Sequence, residues 1–262
     1  MQDYLHKWHL NHPRKLITTH TSDVYKVLND SGESLILKHL NDVGKKDEAG
    51  GGALLRWYGG NGAVNLIKAD DAAHLLEYAE GEELAQLVKK GDDRKATEII
   101  CDVVRKLHES RQIAIPQTLV PLREWFRELF GAAENSDDEI IMLAAKIAEE
   151  LITTSHKVVP LHGDLHHHNI IESRRGWLAI DPKGLIGDPC YDLANFYGNP
   201  ENMQELWLDV GRINLLTNMF TNELGYPRER LIKFSFVHNV ISSIWSGGSN
   251  VDRMARLDVA KL

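Results

Sequence analysis

Two aspartates and one asparagine in the second half of the chain have the types and spacing of a phosphoryl-transfer site. Asp164 lies five residues before Asn169, and Asp181 lies twelve residues after Asn169, at the end of an apolar run. Transfer of a phosphoryl group from ATP needs a carboxylate that orients the attacking hydroxyl and oxygen ligands that hold Mg²⁺ on the phosphates. Carboxylate and amide oxygens are such ligands. A loop carrying Asp164 and Asn169, with a hairpin that returns Asp181 to the same pocket, would meet this need.

The stretch that holds these residues has the pattern of short strands and turns. Residues 158–192 consist of short apolar runs separated by glycine, aspartate and proline. Helical periodicity precedes and follows this stretch. Asp92 or Asp93 is placed to cap one helix, residues 136–139 predict a capping box before another, and residues 201–262 are again helical in pattern.

The beginning of the chain is predicted to be mostly β. The predicted elements are strands at 15–19, 23–28, 34–40, 65–67 and 74–78, and a helix at 53–58. The glycines at 50–52 should weaken that helix, because each interior glycine costs about 1 kcal/mol against alanine. A small β-rich lobe, residues 1–80, followed by a larger helical lobe, residues 81–262, predicts a two-lobe α+β fold.

The spacing of the candidate site resembles that of a known family. The pattern H-G-D-x-x-x-x-N that ends at Asn169, with I-D ending at Asp181, resembles the catalytic loop and the D-F-G motif of protein kinases. With Gly163 in place of the kinase arginine, it looks like the aminoglycoside phosphotransferases. Residues 176–194 resemble, within that family, the group of streptomycin 6-phosphotransferase and hydroxyurea phosphotransferase. The resemblance implies a protein-kinase-like fold.

The resemblance also implies a role for each matching residue. Asp164 would be the catalytic aspartate, and Asn169 and Asp181 would be the Mg²⁺ ligands. Asp192 would lie on a helix behind the loop and hold the loop backbone, and His162 would be a packed residue that forms a hydrogen bond nearby. Loss of the kinase arginine implies an enzyme without a phosphorylation switch of the activation-loop kind.

The resemblance places the nucleotide contacts in the first lobe. Lys38, at the end of an apolar strand, fits the lysine that touches the ATP phosphates, with Glu48 as its best ion-pair partner and Asp47 as the alternative. The hinge residues, whose backbone groups would bond adenine, are Glu77, Tyr78 and Ala79. A glycine-rich loop is absent, and residues 18–23 stand in its place with hydroxyls and N–H groups that could cap a phosphate.

Three consecutive histidines, His166, His167 and His168, raise the question of a zinc site. Consecutive side chains point in different directions, and neither a cysteine nor an H-E-x-x-H motif accompanies them. We therefore expect loop residues near the Mg²⁺ site, one of which could approach a phosphate or the substrate.

Composition argues against several classes of protein. Among 262 residues, 43% are hydrophobic and 26% are charged, as in an ordinary globular protein and unlike a disordered chain. The 30 Lys and Arg against 38 Asp and Glu, a net charge of −8, argue against nucleic-acid binding. The sequence has neither a visible signal peptide nor an apolar run of the roughly 18–20 residues that a membrane span needs. Two cysteines, Cys101 and Cys190, fit a reducing cytoplasm.

The combined expectation is an O-phosphotransferase that uses ATP and Mg²⁺ and acts on a small, cationic molecule, with no protein partner implied. The acidic excess could attract a cation, although solubility alone also explains it. The resemblance implies a streptomycin-like aminocyclitol antibiotic as acceptor, so that phosphorylation would confer resistance. Two alternatives stay open: a metabolic kinase of the same fold for a sugar, an amino alcohol or a hydroxyurea-like compound, and a catalytically inactive nucleotide-binding protein.

Overall fold

The N-terminal part of the chain is built on one antiparallel sheet. The structure, a computed structural model, describes residues 1–47 and 49–245. After helix α1 (Gln2–Lys7) come strands β1 (Leu10–Thr18), β2 (Ser22–Asn29), β3 (Ser34–Leu40), β4 (Leu66–Asp70) and β5 (Ala73–Glu77). Their order is β1-β2-β3-β5-β4, and all neighbours pair antiparallel. The five predicted strands are confirmed, although β1 begins at Leu10 rather than at residue 15.

Two helices, α2 (Gly44–Asp47) and α3 (Ala49–Tyr58), lie between β3 and β4. Helix α3 begins before the predicted residue 53 and includes the glycines that were expected to weaken it. A Cβ added at Gly184 would lie 2.2 Å from the carbonyl carbon of Gly50, and one added at Gly50 would lie 3.0 Å from the Lys183 oxygen. The missing side chains therefore let α3 pack directly against the backbone at 183–184, and this contact outweighs the low helix propensity of glycine.

The C-terminal part is mostly helical, with small sheets between the helices. Its α-helices are α4 (Ala85–Lys89), α5 (Asp93–Leu107), α6 (Leu122–Trp125), α7 (Arg127–Glu134), α8 (Glu139–Thr153), α9 (Gln204–Trp207), α10 (Val210–Leu224) and α11 (Arg228–Trp245). Strands β6 (Val120–Pro121), β7 (Val159–Leu161) and β10 (Leu185–Gly187) form one sheet, and β8 (Ile170–Ser173) and β9 (Gly176–Ala179) form a hairpin. Two 3₁₀ helices, His167–Asn169 and Pro189–Gly198, precede β8 and follow β10.

Side-chain caps start the two long helices that the sequence predicted. Asp92 caps α5 by accepting a hydrogen bond from the backbone N–H of Lys95 at 3.2 Å. The predicted capping box before α8 is different in detail: the cap is Asp138, which accepts from the N–H of Ile140 at 2.8 Å. The Ser136 hydroxyl instead accepts from the N–H of Asp138 at 3.0 Å, so it shapes the turn before the helix.

The structure confirms the two-part α+β fold. One large apolar core joins α3, α5, the second 3₁₀ helix and α11, and a smaller one, with Val27 and Leu37 at its centre, lies beneath the N-terminal sheet. The division predicted at residue 80 falls in the connection between β5 and α4. Within residues 1–47 and 49–245, none of the helices is both long enough and apolar enough to cross a membrane.

Candidate active site

The β8–β9 hairpin brings the two halves of the motif to one place. Ile170 of β8 pairs with Ala179 of β9, so Asn169, before β8, and Asp181, after β9, lie at the same end of the hairpin. The N–H of Ile180 donates to the Asn169 carbonyl at 2.9 Å, which continues the pairing one step beyond the strands. The local sequence therefore sets this proximity, because the turn length fixes the register of the hairpin.

The side chain of Asn169 connects this hairpin end to Asp164. Its Nδ2 donates to the backbone carbonyl of Asp164 at 2.9 Å. A carbonyl can only accept, so this bond determines which end of the amide is nitrogen. The Asn169 Oδ1 accepts no hydrogen bond from the residues that the structure describes. An oxygen with available lone pairs thus lies beside the backbone of Asp164 and at the same hairpin end as Asp181.

His162 holds the loop before Asp164 against the segment around Asp181. Its fully buried ring donates from Nε2 to the Ile180 carbonyl at 2.8 Å, and its own carbonyl accepts from the N–H of Lys183 at 2.7 Å. Burial lowers the pKa of His162 more than the nearby carboxylates raise it, so the ring is neutral at pH 7. This is the packed, hydrogen-bonded residue that the sequence predicts.

Asp192 supports the same loop from behind. It lies on the second 3₁₀ helix, is 2% exposed, and accepts from the N–H groups of His162 at 2.9 Å and Gly163 at 2.8 Å. Its carboxylate also accepts from Nε2 of His108 at 2.8 Å. Burial alone would raise the pKa of Asp192, but these hydrogen bonds and the neighbouring histidines outweigh it and lower the pKa. Asp192 therefore holds the loop backbone, as the family resemblance implies.

Gly163 occupies a position that only glycine fits without strain. Its φ is +84°, in the left-handed region that other residues rarely adopt. A Cβ at this position would lie 2.5 Å from Cγ of Leu185, a residue of β10. The arginine of protein kinases is thus replaced at a point where the backbone conformation and the adjacent strand both exclude a side chain.

Lys38 and Asp181 form an ion pair between the two parts of the chain. Lys38 lies on the central strand β3, is 6% exposed, and donates from Nζ to Oδ1 of Asp181. Burial alone would raise the pKa of Asp181, but the charges of Lys38 and Lys183 outweigh it and hold the pKa below its usual value. Asp181 is therefore a carboxylate at pH 7, with an ammonium group next to it.

Three side chains that the sequence analysis did not assign to Asp164 surround its carboxylate. Asn195 donates from Nδ2 to Oδ1 at 3.1 Å, Lys183 Nζ lies 3.9 Å from Oδ2, and His166 Nε2 lies 3.9 Å from Oδ1. One signal for Asn195 was present in the sequence. It follows Asp192 by three residues, and such residues share a face of a 3₁₀ helix, so both point at the loop.

The three histidines differ in their surroundings. His167 is fully buried, with its ring edge against Phe196 at 5.1 Å between centroids, whereas His168 Nδ1 lies 2.6 Å from Oε2 of Glu83. Burial lowers the pKa of His166 to about 4, so this ring is neutral at pH 7. In the described part of the chain, no group of three or more His, Cys, Asp or Glu side chains is arranged to hold a metal ion.

The expected hinge is ordered by side-chain contacts. The Glu77 carboxylate accepts from the N–H of Asn65 at 2.9 Å and pairs with Arg175 at 2.6 Å, and the Lys26 ammonium lies 3.9 Å from the centroid of the Tyr78 ring. The bonding of adenine by the backbone of Glu77, Tyr78 and Ala79 stays a prediction. Glu48, the expected partner of Lys38, lies outside the described residues.

The donor set fits Mg²⁺ with phosphates. The Asn169 amide oxygen and the Asp181 carboxylate are hard oxygen donors of the kind that Mg²⁺ prefers. The Asn169 amide is held by the hydrogen bond that it donates to the Asp164 carbonyl. The Asp181 carboxylate is held by the hydrogen bond that it accepts from Lys38. The Lys38 ammonium adds a positive charge at the same position, where the charge of a nucleotide phosphate would be neutralised.

Comparison with known proteins supplies independent information. Residues 7–249 match the model of a family described as aminoglycoside/hydroxyurea antibiotic resistance kinase. The chain is 34% identical over 263 aligned positions to the streptomycin 3''-kinase of Klebsiella pneumoniae. The alignment covers 98% of this chain and 96% of the relative. It is 29% identical over 219 positions to the streptomycin 6-kinase of Streptomyces griseus, covering 79% of this chain and 69% of that one.

The fold is also similar to that of solved structures. A thermostable mutant of the aminoglycoside phosphotransferase APH(4)-Ia, solved as a ternary complex with ADP and hygromycin B, superposes with a TM-score of 0.63. The alignment covers 99% of this chain and 96% of that chain, at 12% sequence identity. At this identity the comparison establishes the shared fold alone.

Proposed function

The chain belongs to the aminoglycoside/hydroxyurea antibiotic resistance kinases, and we propose that it transfers the γ-phosphoryl group of ATP to a hydroxyl of streptomycin or a closely similar aminocyclitol antibiotic. That it is an antibiotic-modifying phosphotransferase acting on hydroxyl groups follows from the family. The identities of the nucleotide, the metal ion and the acceptor are the part that we propose. Phosphorylation would place negative charge on a drug whose positive charges bind ribosomal RNA, so resistance would follow.

One observation supports the proposed chemistry most directly. The Asn169 side-chain amide donates to the backbone carbonyl of Asp164, while the backbone carbonyl of Asn169 accepts from the N–H of Ile180, the residue before Asp181. The backbone at Asp164 and the backbone next to Asp181, which carry the carboxylates proposed for the acceptor and for the metal, are thereby tied to one residue, Asn169. A chance pair of acidic residues would lack this connection.

Each residue then has a chemical task. Asp164 would accept a hydrogen bond from the acceptor hydroxyl, orient its oxygen towards the γ-phosphorus and take the proton as the new P–O bond forms. The bond between the γ-phosphorus and the bridging oxygen breaks in the same transfer, and ADP leaves with that oxygen. Lys38 would neutralise phosphate charge, and Asn169 and Asp181 would hold Mg²⁺. The ion, when bound, supplies positive charge that offsets the charge developing on the phosphate oxygens.

The relatives favour streptomycin as the acceptor, and the 3''-hydroxyl in particular. The 3''-kinase is more similar to this chain, and over more of its length, than the 6-kinase of Streptomyces griseus. A cationic drug also suits a chain with a net charge of −8.

The test is a coupled assay of ADP release with ATP, Mg²⁺ and a panel of acceptors: streptomycin, hygromycin B, hydroxyurea, choline and ethanolamine. We expect turnover with streptomycin, a product heavier by one phosphoryl group, and a phosphorus-coupled proton at the 3'' position in its NMR spectrum. Turnover with another acceptor but not with streptomycin would contradict the proposed substrate and still support the proposed phosphoryl transfer. ATP binding without transfer to any acceptor would support the inactive nucleotide-binding protein.

A further inference from the structure

A chain of buried amides leads from helix α10 to the carboxylate of Asp164. Asn195 donates from Nδ2 to Oδ1 of Asp164 at 3.1 Å, and Asn199 donates from Nδ2 to Oδ1 of Asn195 at 2.8 Å. The backbone carbonyl of Asn199 in turn accepts from Nη2 of Arg212 at 2.9 Å, and Arg212 pairs with Asp93 at 2.8 Å. The polar contacts thus extend from the start of α5, through α10 and the second 3₁₀ helix, to the loop.

The direction of each amide in this chain follows from its neighbours. Asn199 Nδ2 also donates to the backbone carbonyl of Asn195 at 3.0 Å, and a carbonyl can only accept. The oxygen of the Asn195 amide must therefore face Asn199, and its NH₂ group must face the acceptor-only carboxylate of Asp164. Reversing Asn195 would place two oxygens opposite each other at one end and two NH₂ groups at the other.

Burial makes this arrangement persistent. Asn195, Asn199 and Arg212 are 7%, 3% and 4% exposed, so water competes little for their hydrogen bonds. A buried amide without a partner is costly, and a hydrogen bond to a charged group is stronger than one between neutral groups. The packed amides therefore restrict rotation of the Asp164 carboxylate.

We propose that Asn195, oriented by Asn199, is a positioning residue that sets the rotation of the Asp164 carboxylate for accepting the proton of the acceptor hydroxyl. This inference rests on the proposed function. Transfer depends on the alignment of the acceptor oxygen with the phosphorus, and that alignment depends on the carboxylate that holds the hydroxyl. Asn195 acts through Asp164, and its effect should appear in the chemical step rather than in nucleotide binding.

The experiment is a double-mutant cycle with Asn195→Ala, Asn199→Ala and the double variant, plus Asn195→Leu as a variant of similar shape that lacks the donor and adds no charge. Steady-state kinetics with the preferred acceptor give kcat and both KM values, and thermal unfolding reports folding. The control is Asn239→Ala, which removes a buried amide that donates to the Ser235 carbonyl within its own helix, α11.

We expect both Asn195 variants to lower kcat roughly 10- to 100-fold with little change in the KM for ATP. Asn199→Ala should lower kcat less, by about 3- to 10-fold, and should have no further effect in the Asn195→Ala background, because its action requires the Asn195 amide. Asn239→Ala should keep the wild-type kcat. A role confined to stability would instead lower the melting temperature and leave kcat unchanged.

Three outcomes separate the possible failures. A folded Asn195→Leu or Asn195→Ala variant with the wild-type kcat overturns the positioning role and leaves the proposed function intact. Effects of the two single variants that multiply in the double variant overturn the link through Asn199. A wild-type protein that transfers phosphate to none of the acceptors overturns the proposed function, and the positioning role with it.

Discussion

Lys38 contacts Asp181 across 143 residues of sequence, and this ion pair joins the central strand of the N-terminal sheet to the end of the β8–β9 hairpin. The lysine side chain is only 7% exposed, so water solvates its charge poorly and the Asp181 carboxylate helps to stabilise that charge. The carboxylate in turn stays ionised because the lysine is there. The pair therefore places both signs of charge at the position where a metal–nucleotide complex would need them.

The first prediction concerns Lys38. Lys38→Met keeps most of the length of the side chain and removes the charge, so the ATP phosphates would lose the cation proposed to neutralise them. We expect kcat/KM for ATP to fall by roughly 100-fold or more, with little change in the KM of the acceptor. Lys68→Met is the matched control, because Lys68 is an exposed residue of strand β4, and it should behave as the wild type. Equal kinetics for the two variants would contradict the role of Lys38.

The second prediction separates the two aspartates. Asp164→Ala removes the proposed proton acceptor, so kcat should fall by roughly 10²- to 10⁴-fold while the affinity for ATP changes little. Asp181→Ala removes a proposed metal ligand, so it should weaken binding of ATP in the presence of Mg²⁺. Isothermal titration with a non-hydrolysable ATP analogue, with and without Mg²⁺, measures the second effect. Small, similar losses in both variants would contradict the assignment.

The third prediction concerns the acid stability that Asp192 contributes. Its pKa is lowered from the ordinary value of 3.8, so the unfolded chain binds the proton at a higher pH than the folded chain does. The stabilisation is therefore fully present above pH 3.8, and it is lost as the pH falls through the lowered pKa of Asp192 in the folded chain. Asp192→Asn should reduce the free energy of unfolding by about 3–5 kcal/mol at pH 7. It should also show a shallower loss of stability below pH 4.

Urea unfolding between pH 3 and pH 7 checks this prediction. Asp209→Asn is the control, because Asp209 caps α10 by accepting from the N–H of Gly211, and asparagine caps a helix about equally well. The control should change the free energy of unfolding by less than about 0.5 kcal/mol. If Asp192→Asn and the wild type lose stability in parallel on acidification, Asp192 is not the source of the acid dependence.

The fourth prediction compares two glycines with similar backbone angles. Gly163 and Gly32 have φ of +84° and +78°, but a Cβ at Gly163 would lie 2.5 Å from Leu185, whereas one at Gly32 would have no atom within 4 Å. Gly32→Ala should cost about 1 kcal/mol from backbone strain alone. Gly163→Ala adds the steric clash, so it should cost about 2–4 kcal/mol. Thermal unfolding measures both, and equal costs would show that the loop yields to the added methyl group.

Local patterns predicted the fold well and the packing poorly. The strands, the cap at Asp92 and the hairpin around Asp181 depend on neighbours in the sequence, and each lies close to its predicted place. Helix α3 was predicted too short, because its glycines were judged by helix propensity alone, whereas Gly50 packs directly against the backbone of residues 183–184. Similarly, the cap of α8 depends on which carboxylate can reach an N–H, and Asp138 does so.

The sequence by itself determined the chemical groups of the site and the family. The types and spacing of Asp164, Asn169 and Asp181 are local properties, and a hairpin with a short turn brings its own ends together. Only the tertiary structure decided which distant groups complete the site. Asn195 reaches Asp164, and Lys38 reaches Asp181, because whole lobes and helices pack in one arrangement. Such contacts depend on the combined shape of many buried side chains, which spacing along the chain does not encode.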